Sequence, residues 1–190
     1  MSRNLGVLIS GRGSNLKAII DAIHQKHLDA SIAIVISNRA DAPGLEHARQ
    51  AGIETLVVDH KGYTTREDYD RALVAELRQR DVALVCLAGF MRVLSPAFVN
   101  AYPDRILNIH PSLLPKYPGL RPQKQALDDG AAVSGATVHF VNKDLDDGPI
   151  VLQQEVPVVA GDSEDTLAAR ILEVEHELYP RAIGQVLGRR

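Results

Sequence analysis

Two polar side chains stand two residues apart where an apolar segment ends, in segment 108–115 (NIHPSLLP). Side chains alternate along a strand, so Asn108 and His110 share one side while Ile109 faces away. An amide and an imidazole placed together can polarise a carbonyl group and move a proton. A single histidine at a strand end is more often structural, but the pairing with Asn108 and the proline-rich loop that follows favour catalysis.

A second set of candidate residues forms a glycine loop, segment 10–15 (SGRGSN), between an apolar segment and a helical pattern. Gly13 permits close approach of the backbone to an anion, which the following helix N-terminus attracts. Ser14 and Asn15 can add side-chain hydrogen bonds. The spacing is neither G-x-G-x-x-G nor a Walker loop. We therefore expect a site for a single phosphate group, with a plain strand-to-helix turn as the alternative.

Acidic residues cluster in segment 144–149 (DLDDGP). Three carboxylates in a turn could bind a divalent cation, but spacing alone favours a solvated hairpin. The histidines show no zinc-ligand spacing, and His139, within a strand-like segment, is expected to be structural. Cys86 lies in an apolar segment and is expected to fill the core.

The elements that must position these residues alternate in type. Short apolar segments bounded by Gly, Asn or Asp suit strands buried on both faces of a parallel sheet. Helical patterns lie between them, at about 16–23, 43–50 and 65–80. This repeated alternation predicts a parallel sheet with right-handed crossovers. The strand segments are 5–10, 32–37, 53–58, 82–87 and 106–109.

The pattern changes after residue 109. Closely spaced prolines from 111 to 122 predict a rigid loop without regular structure. Strand-like segments 135–141 and 150–156 are close in sequence, so we expect them to pair antiparallel. A last helix should begin near Ser163. The predicted fold class is α/β, a mostly parallel doubly wound sheet with an antiparallel C-terminal strand addition, in a single domain spanning 1–190.

Composition narrows the function classes. The chain has 190 residues and a net charge of −3, which argues against broad nucleic-acid binding. Its 4% aromatic content, without Trp, argues against a stacking platform for single strands. It contains no long apolar segment and no signal-peptide pattern, and its single cysteine suits a reducing compartment. We expect a cytoplasmic protein, a monomer or homodimer, without nucleic-acid or membrane partners.

Four segments, in order along the chain, resemble the phosphoribosylglycinamide formyltransferase family, the folate-dependent transformylases of purine biosynthesis. They are 11–15 (GRGSN), 88–94 (AGFMRVL), 108–115 and 144–149. The resemblance implies a Rossmann-like formyltransferase fold. It also implies direct transfer of a formyl group from 10-formyltetrahydrofolate to the amine of glycinamide ribonucleotide, through a tetrahedral intermediate and without a metal.

The resemblance implies a catalytic group of Asn108, His110 and Asp146. Asn108 would donate to the oxyanion of the intermediate. His110 would stabilise that charge and help deliver a proton to the leaving nitrogen, and Asp146 would orient the imidazole and favour its charged form.

The binding residues implied by the resemblance divide between the two halves of the chain. Residues from about 1 to 105 would hold the ribonucleotide phosphate, and those from about 106 to 190 would carry catalytic and folate-binding elements. Segment 121–124 (RPQK) departs from the histidines that relatives often carry, so no contact is transferred there. The substrate-binding residues are Gly13, Ser14, Asn15 and Glu175, and the folate-binding residues are Arg66, Met91, Arg92, Val93, Leu94 and Asn108.

Three other functions compete with this interpretation. Methionyl-tRNA formyltransferases share the HPSLLP core but need a tRNA-binding domain, and formyltetrahydrofolate hydrolases carry a regulatory domain before the core. The short flanks of the core lead us to expect neither. A non-catalytic nucleotide sensor on the same scaffold is the third alternative. Only the coincidence of Asn108, His110 and Asp146 opposes it.

Overall fold

The computed structural model describes residues 2–188 and contains a seven-stranded sheet. A short 3-10 helix, His60–Gly62, precedes the third α-helix. The strands are β1 (Asn4–Ile9), β2 (Ser31–Ser37), β3 (Thr55–Val57), β4 (Leu84–Leu87), β5 (Ile106–His110), β6 (Val133–Phe140) and β7 (Ile150–Pro157). The α-helices are α1 (Ser14–His24), α2 (Gly44–Gln50), α3 (Arg66–Gln79), α4 (Pro96–Ala101), α5 (Pro122–Asp128) and α6 (Glu164–Gly188).

The sheet order β3-β2-β1-β4-β5-β6-β7 confirms the predicted fold class. Strands β1 to β5 are parallel neighbours, whereas β5, β6 and β7 pair antiparallel. The chain winds outward from β1 in both directions, which makes the sheet doubly wound and places a switch point between β1 and β4. Ligands of open α/β sheets bind at the carboxyl ends of strands near such a point.

Helices cover both faces of the sheet because the central strands are apolar on both. Leu5, Val7 and Ile9 of β1 belong to one buried cluster, which α1 and α6 complete. Leu8 belongs to a second cluster on the opposite face, formed with α3 and α4. Cys86 is fully buried in the first cluster, as predicted, and burial raises the pKa of its thiol to about 12.

The longest helix, α6, is fixed to the sheet by a buried tyrosine. The Tyr179 hydroxyl lies 2.9 Å from the Leu87 carbonyl oxygen of β4 and 3.1 Å from that of Leu107 of β5. Since a buried hydroxyl needs a partner, this contact sets where α6 sits on the two strands. Across residues 2–188, no helix is long and apolar enough to span a membrane.

Three features depart from the predicted elements. Strand β3 is only three residues long, and two short helices, α4 and α5, were not predicted. Each of these helices has a proline in its first turn, a position where the missing N–H costs nothing. The prediction of irregular structure through residue 122 is therefore wrong at its last residue, because Pro122 begins α5.

Candidate active site

The Asn108 and His110 side chains lie at the carboxyl end of β5, beside the antiparallel strand β6. Asn108 pairs with His139 across the two strands, and His110 pairs with Thr137. His110 is only 6% exposed, while Asn108 is half-buried and borders a cavity. The parallel core thus supplies β5, and the antiparallel addition supplies the wall beside it.

Asp146 lies against His110. It belongs to the acidic segment 144–149, called the acidic turn from here on. Its Oδ2 is 3.5 Å from His110 Nδ1 and accepts a 2.9 Å hydrogen bond from the Gly119 N–H. The side chain is only 7% exposed, whereas Asp144 and Asp147 are exposed. The solvated hairpin favoured by spacing therefore describes the neighbours of Asp146 but not Asp146 itself.

The local fold of the acidic turn explains why Asp146 points inward. Asp146 has a φ of 51°, in the left-handed region. A Cβ on Gly148 would collide with the Phe140 carbonyl oxygen, so only glycine lets the turn lie this close to β6. In the described chain, no group of three or more His, Cys, Asp or Glu is arranged to hold a metal ion.

The hydrogen bonds of His110 define which of its nitrogens carries a proton. Nε2 lies 2.9 Å from the Tyr117 carbonyl oxygen, which can only accept, so Nε2 donates. A second proton on Nδ1 would face the Asp146 carboxylate and make a charge-assisted contact. Both ring nitrogens of His110 therefore face a partner, Nε2 the Tyr117 carbonyl and Nδ1 the Asp146 carboxylate.

His139 also belongs to this cluster, so the expectation of a purely structural role is incomplete. Its Nδ1 lies 3.0 Å from the Phe140 carbonyl oxygen, and its Nε2 lies 3.4 Å from Asn108 Nδ2. Burial lowers the pKa of His139, an effect that the carboxylate of Asp146 partly opposes. A neutral His139 that donates through Nδ1 can accept the Asn108 amide at Nε2. The β5–β6 register was the signal that could have revealed it.

The proline-rich loop after His110 is braced by the antiparallel strands. Thr137 of β6 accepts from the Leu114 N–H at 3.1 Å and donates to the Ser112 carbonyl at 2.7 Å. Gln153 of β7 donates to the Leu114 carbonyl at 2.7 Å. These contacts hold the loop, and with it the Tyr117 carbonyl that accepts the hydrogen bond from His110 Nε2.

A cavity of about 450 Å³ opens beside the cluster. Asn108, His139 and Asp146 lie at its lining, and segment 91–94 forms part of its wall. Met91 is 74% exposed and Val93 is 56% exposed, which is typical of an apolar rim that meets a ligand. Arg66 is exposed at the start of α3 and is not among the residues that line the cavity.

The glycine loop approaches α2 so closely that two glycines meet. Gly13 has a φ of 72°, and a Cβ there would lie 2.6 Å from Gly44 Cα. The Gly44 N–H donates to the Gly11 carbonyl at 2.9 Å. Ser14 then begins α1, whose first turn has no side-chain cap. The uncapped N–H groups are therefore free to bind an anion.

Asn15 and Glu175 meet next to the glycine loop, where α1 packs on α6. Glu175 is 7% exposed, and burial raises the pKa of its carboxyl to about 7, although the Asn15 amide lowers it in part. Within residues 2–188, the buried Oδ1 of Asn15 has no hydrogen-bond partner. An unpaired buried acceptor beside a buried carboxyl is typical of a site that awaits a donor from a ligand.

Comparison with known proteins identifies the class of protein to which this architecture belongs. A family model described as formyl transferase matches residues 3–183. Glycinamide ribonucleotide transformylase 1 from Symbiobacterium toebii superposes with a TM-score of 0.97 at 50% identity, covering 99% of this chain and 89% of that chain. The chain belongs to the formyl transferase family.

More detailed comparisons identify the branch of the family. Phosphoribosylglycinamide formyltransferase from Escherichia coli K12 is 54% identical over 95% of this chain and 85% of the relative. A human relative, trifunctional purine biosynthetic protein adenosine-3, is 48% identical over 94% of this chain but only 18% of its own length. The prediction of a phosphoribosylglycinamide formyltransferase, a folate-dependent enzyme of purine biosynthesis that uses 10-formyltetrahydrofolate, is confirmed.

Proposed function

We propose that Asn108, His110 and Asp146 carry out the transfer of the formyl group from 10-formyltetrahydrofolate to glycinamide ribonucleotide. The observation that supports these roles is the contact between Asp146 Oδ2 and His110 Nδ1, at 3.5 Å, beside a cavity that Asn108 also lines. The ribonucleotide amine attacks the formyl carbon and forms a new C–N bond. The carbon then releases N10 of the folate, which takes up the proton lost by the attacking amine.

Asn108 stabilises the oxyanion of the tetrahedral intermediate in this proposal. One N–H of its amide is directed to His139 Nε2, at 3.4 Å, which leaves the other for the formyl oxygen. Loss of one such donor typically reduces the rate about 10²–10³-fold. His139 therefore acts as a positioning residue that fixes the orientation of the Asn108 amide.

His110 and Asp146 stabilise charge and assist the proton transfer. His110 Nδ1 faces Asp146, and Nε2 must exchange the Tyr117 carbonyl for the substrate in order to assist the proton transfer. Positioned acid–base groups of this kind typically contribute about 10²–10⁴-fold. Holding amine and formyl carbon together can lower the barrier by a further 7–11 kcal/mol, roughly, when the geometry is good.

In this proposal, the two substrates bind at different segments of the chain. The folate occupies the cavity along Met91, Arg92, Val93 and Leu94, with Arg66 near its tail. The phosphate of the ribonucleotide binds at Gly13, Ser14 and Asn15, and Glu175 accepts hydrogen bonds from the rest of that substrate.

The organisation of the chain follows from this placement of substrates. We propose one domain, in which residues from about 1 to 105 bind the phosphate and those from about 106 to 190 carry the catalytic group. Each chain supplies a complete site, so a monomer or a homodimer is active, and the enzyme works in the cytoplasm without nucleic-acid or membrane partners.

Formyl-transfer assays on the purified chain test this proposal. We expect turnover with 10-formyltetrahydrofolate and glycinamide ribonucleotide, and none with initiator methionyl-tRNA. EDTA treatment should leave the rate unchanged, because none of the proposed steps uses a metal. A protein that binds both small substrates without turnover would instead be the non-catalytic sensor, and comparable turnover on tRNA would contradict the assignment of the acceptor.

A further inference from the structure

The segment Met91–Leu94, here called the folate loop, lacks regular secondary structure and projects two exposed apolar side chains. Among the described residues, its backbone makes one hydrogen bond to the protein, from the Met91 N–H to Ser10 Oγ at 2.9 Å. The remaining backbone groups of the loop are free for a ligand. The position of those groups must then be set where the loop begins and ends.

Ser10 is hydrogen-bonded to the first residue of the folate loop, across the switch point between β1 and β4. It directly follows β1, is 4% exposed, and donates to Asn38 Oδ1 at 2.6 Å while it accepts from Met91. Asn38 is itself 5% exposed at the end of β2. Because the hydroxyl has both partners, it has one orientation, and the Met91 amide is fixed relative to β1.

Asp70 holds the other end of the folate loop. This α3 carboxylate is 2% exposed, and its Oδ2 accepts the Ser95 N–H at 2.6 Å, directly after Leu94. The Arg92 guanidinium lies 5.7 Å from the centre of the neighbouring Tyr69 ring. A buried carboxylate is costly unless it is hydrogen-bonded, which ties α3 to the place where the loop enters α4.

Ser10 also links the two substrate sites. Ser10 is the first residue of the glycine loop, and the next residue, Gly11, accepts the Gly44 N–H. One buried hydroxyl therefore connects the phosphate-binding segment to the folate loop.

We propose that Ser10 and Asp70 are positioning residues for the folate, because they hold the two ends of the folate loop. This inference rests on the proposed binding of folate at Met91–Leu94. Neither residue needs to touch a substrate. Ser10 belongs to the glycine loop, but its local sequence does not indicate a contact with the folate loop, and no local pattern singles out Asp70.

The test compares Ser10→Ala with Ser134→Ala. Ser134 is a matched control, because its hydroxyl is also buried, at 1% exposure, yet has no partner in the described structure. Ser10→Ala leaves the Met91 N–H and Asn38 Oδ1 unpaired, so we expect the KM for 10-formyltetrahydrofolate to rise about ten-fold. The KM for glycinamide ribonucleotide should change less than about two-fold, since Gly13, Ser14 and Asn15 are unchanged. Ser134→Ala should alter neither value.

Two further variants, one at Asp70 and one in the folate loop, distinguish a failure of this inference from a failure of the proposed function. Asp70→Asn keeps an acceptor near Ser95 but loses the charge, and should raise the folate KM about three-fold. Val93→Asp places a carboxylate on the apolar rim and should abolish folate binding. If Val93→Asp blocks folate while folded Ser10→Ala and Asp70→Asn both bind it normally, the positioning role is wrong and the proposed function stands.

Two other results are decisive in different ways. If Val93→Asp also binds folate normally, the folate loop is wrongly assigned and the proposed function fails together with the inference. If Ser10→Ala does not fold, Asp70→Asn decides the matter with the same two KM values, and an equal rise in both would show a general structural defect rather than folate positioning.

Discussion

The proposed phosphate site and the proposed catalytic cluster of Asn108, His110 and Asp146 lie at the same edge of the sheet but are assembled in different ways. The glycine loop is one continuous segment, in which Gly13, Ser14 and Asn15 present backbone and side-chain groups in chain order. The catalytic cluster joins β5, β6 and the acidic turn, which are distant in sequence. A continuous site depends on local backbone geometry, whereas an assembled site depends on strand register and on how a turn is folded. Substitutions should therefore affect them differently.

The largest expected effect is in the assembled site. Asp146→Asn keeps the size of the side chain but removes the charge that faces His110 Nδ1 at 3.5 Å. We expect kcat to fall about 10³-fold, with little change in either KM, because the contact strengthens as charge develops. Asp147→Asn, in the same turn but exposed, is the control and should retain normal kcat. A near-normal kcat for Asp146→Asn would return this residue to a structural role.

In the continuous site, the glycine should matter first for stability. Gly13→Val introduces a side chain at a φ of 72° and only 2.6 Å from Gly44 Cα. We expect the free energy of unfolding to fall by roughly 2–4 kcal/mol in denaturant titrations. Gly11→Ala is the control, since its Cβ would meet nothing within 4 Å. Equal stability of the two variants would contradict the close contact of Gly13 with α2.

The buried Glu175 carboxyl beside the glycine loop should make stability depend on pH. The folded-state pKa of Glu175, about 7, exceeds the ordinary value of 4.5. Its contribution is therefore fully present below pH 4.5 and is lost as pH rises towards 7. Glu175→Gln mimics the neutral form, so it should match the wild type at pH 4 and exceed it above pH 7, by about 2–3 kcal/mol. Parallel stability curves for the two proteins would contradict the raised pKa.

The smallest effect is expected from a single polar contact in the continuous site. Asn15→Ala removes the buried Oδ1 that has no partner among the described residues. We expect the KM for glycinamide ribonucleotide to rise about ten-fold, with the folate KM unchanged. Lys17→Ala, on the same helix but exposed and paired with Asp21, should change neither KM. A rise in the folate KM alone would show that Asn15 acts in the folate site and not in the phosphate site.

The difference between a continuous site and an assembled site also explains which features could be predicted from the sequence. The parallel core was predictable because its strands are continuous apolar segments, and the pairing of Asn108 with His110 was visible from their spacing. Asp146 was linked to His110 only through the family resemblance, since local spacing favoured a solvated hairpin. Its inward direction depends on the close approach of Gly148 to β6, which no local pattern reveals.

Other features were missed because they depend on contacts between distant segments. His139 faces Asn108 only in one register of β5 and β6, and an offset of one residue would turn it away. Helices α4 and α5 are six and seven residues long, too short for a clear apolar period. The buried contacts of Ser10 and Asp70 with the ends of the folate loop have no sequence signature at all.

The attachment of α6 through Tyr179 has a consequence for how the chain matures on the ribosome. Leu167, Ile171 and Tyr179 of α6 complete the buried cluster on one face of the sheet, yet they are synthesised after all seven strands. Until α6 emerges from the exit tunnel, the part of that face that α6 covers remains open to water, and the Leu87 and Leu107 carbonyls lack the hydroxyl that later binds them. A nascent chain stalled before α6 should therefore be sensitive to protease and recruit chaperones, and release of the last helix should complete folding.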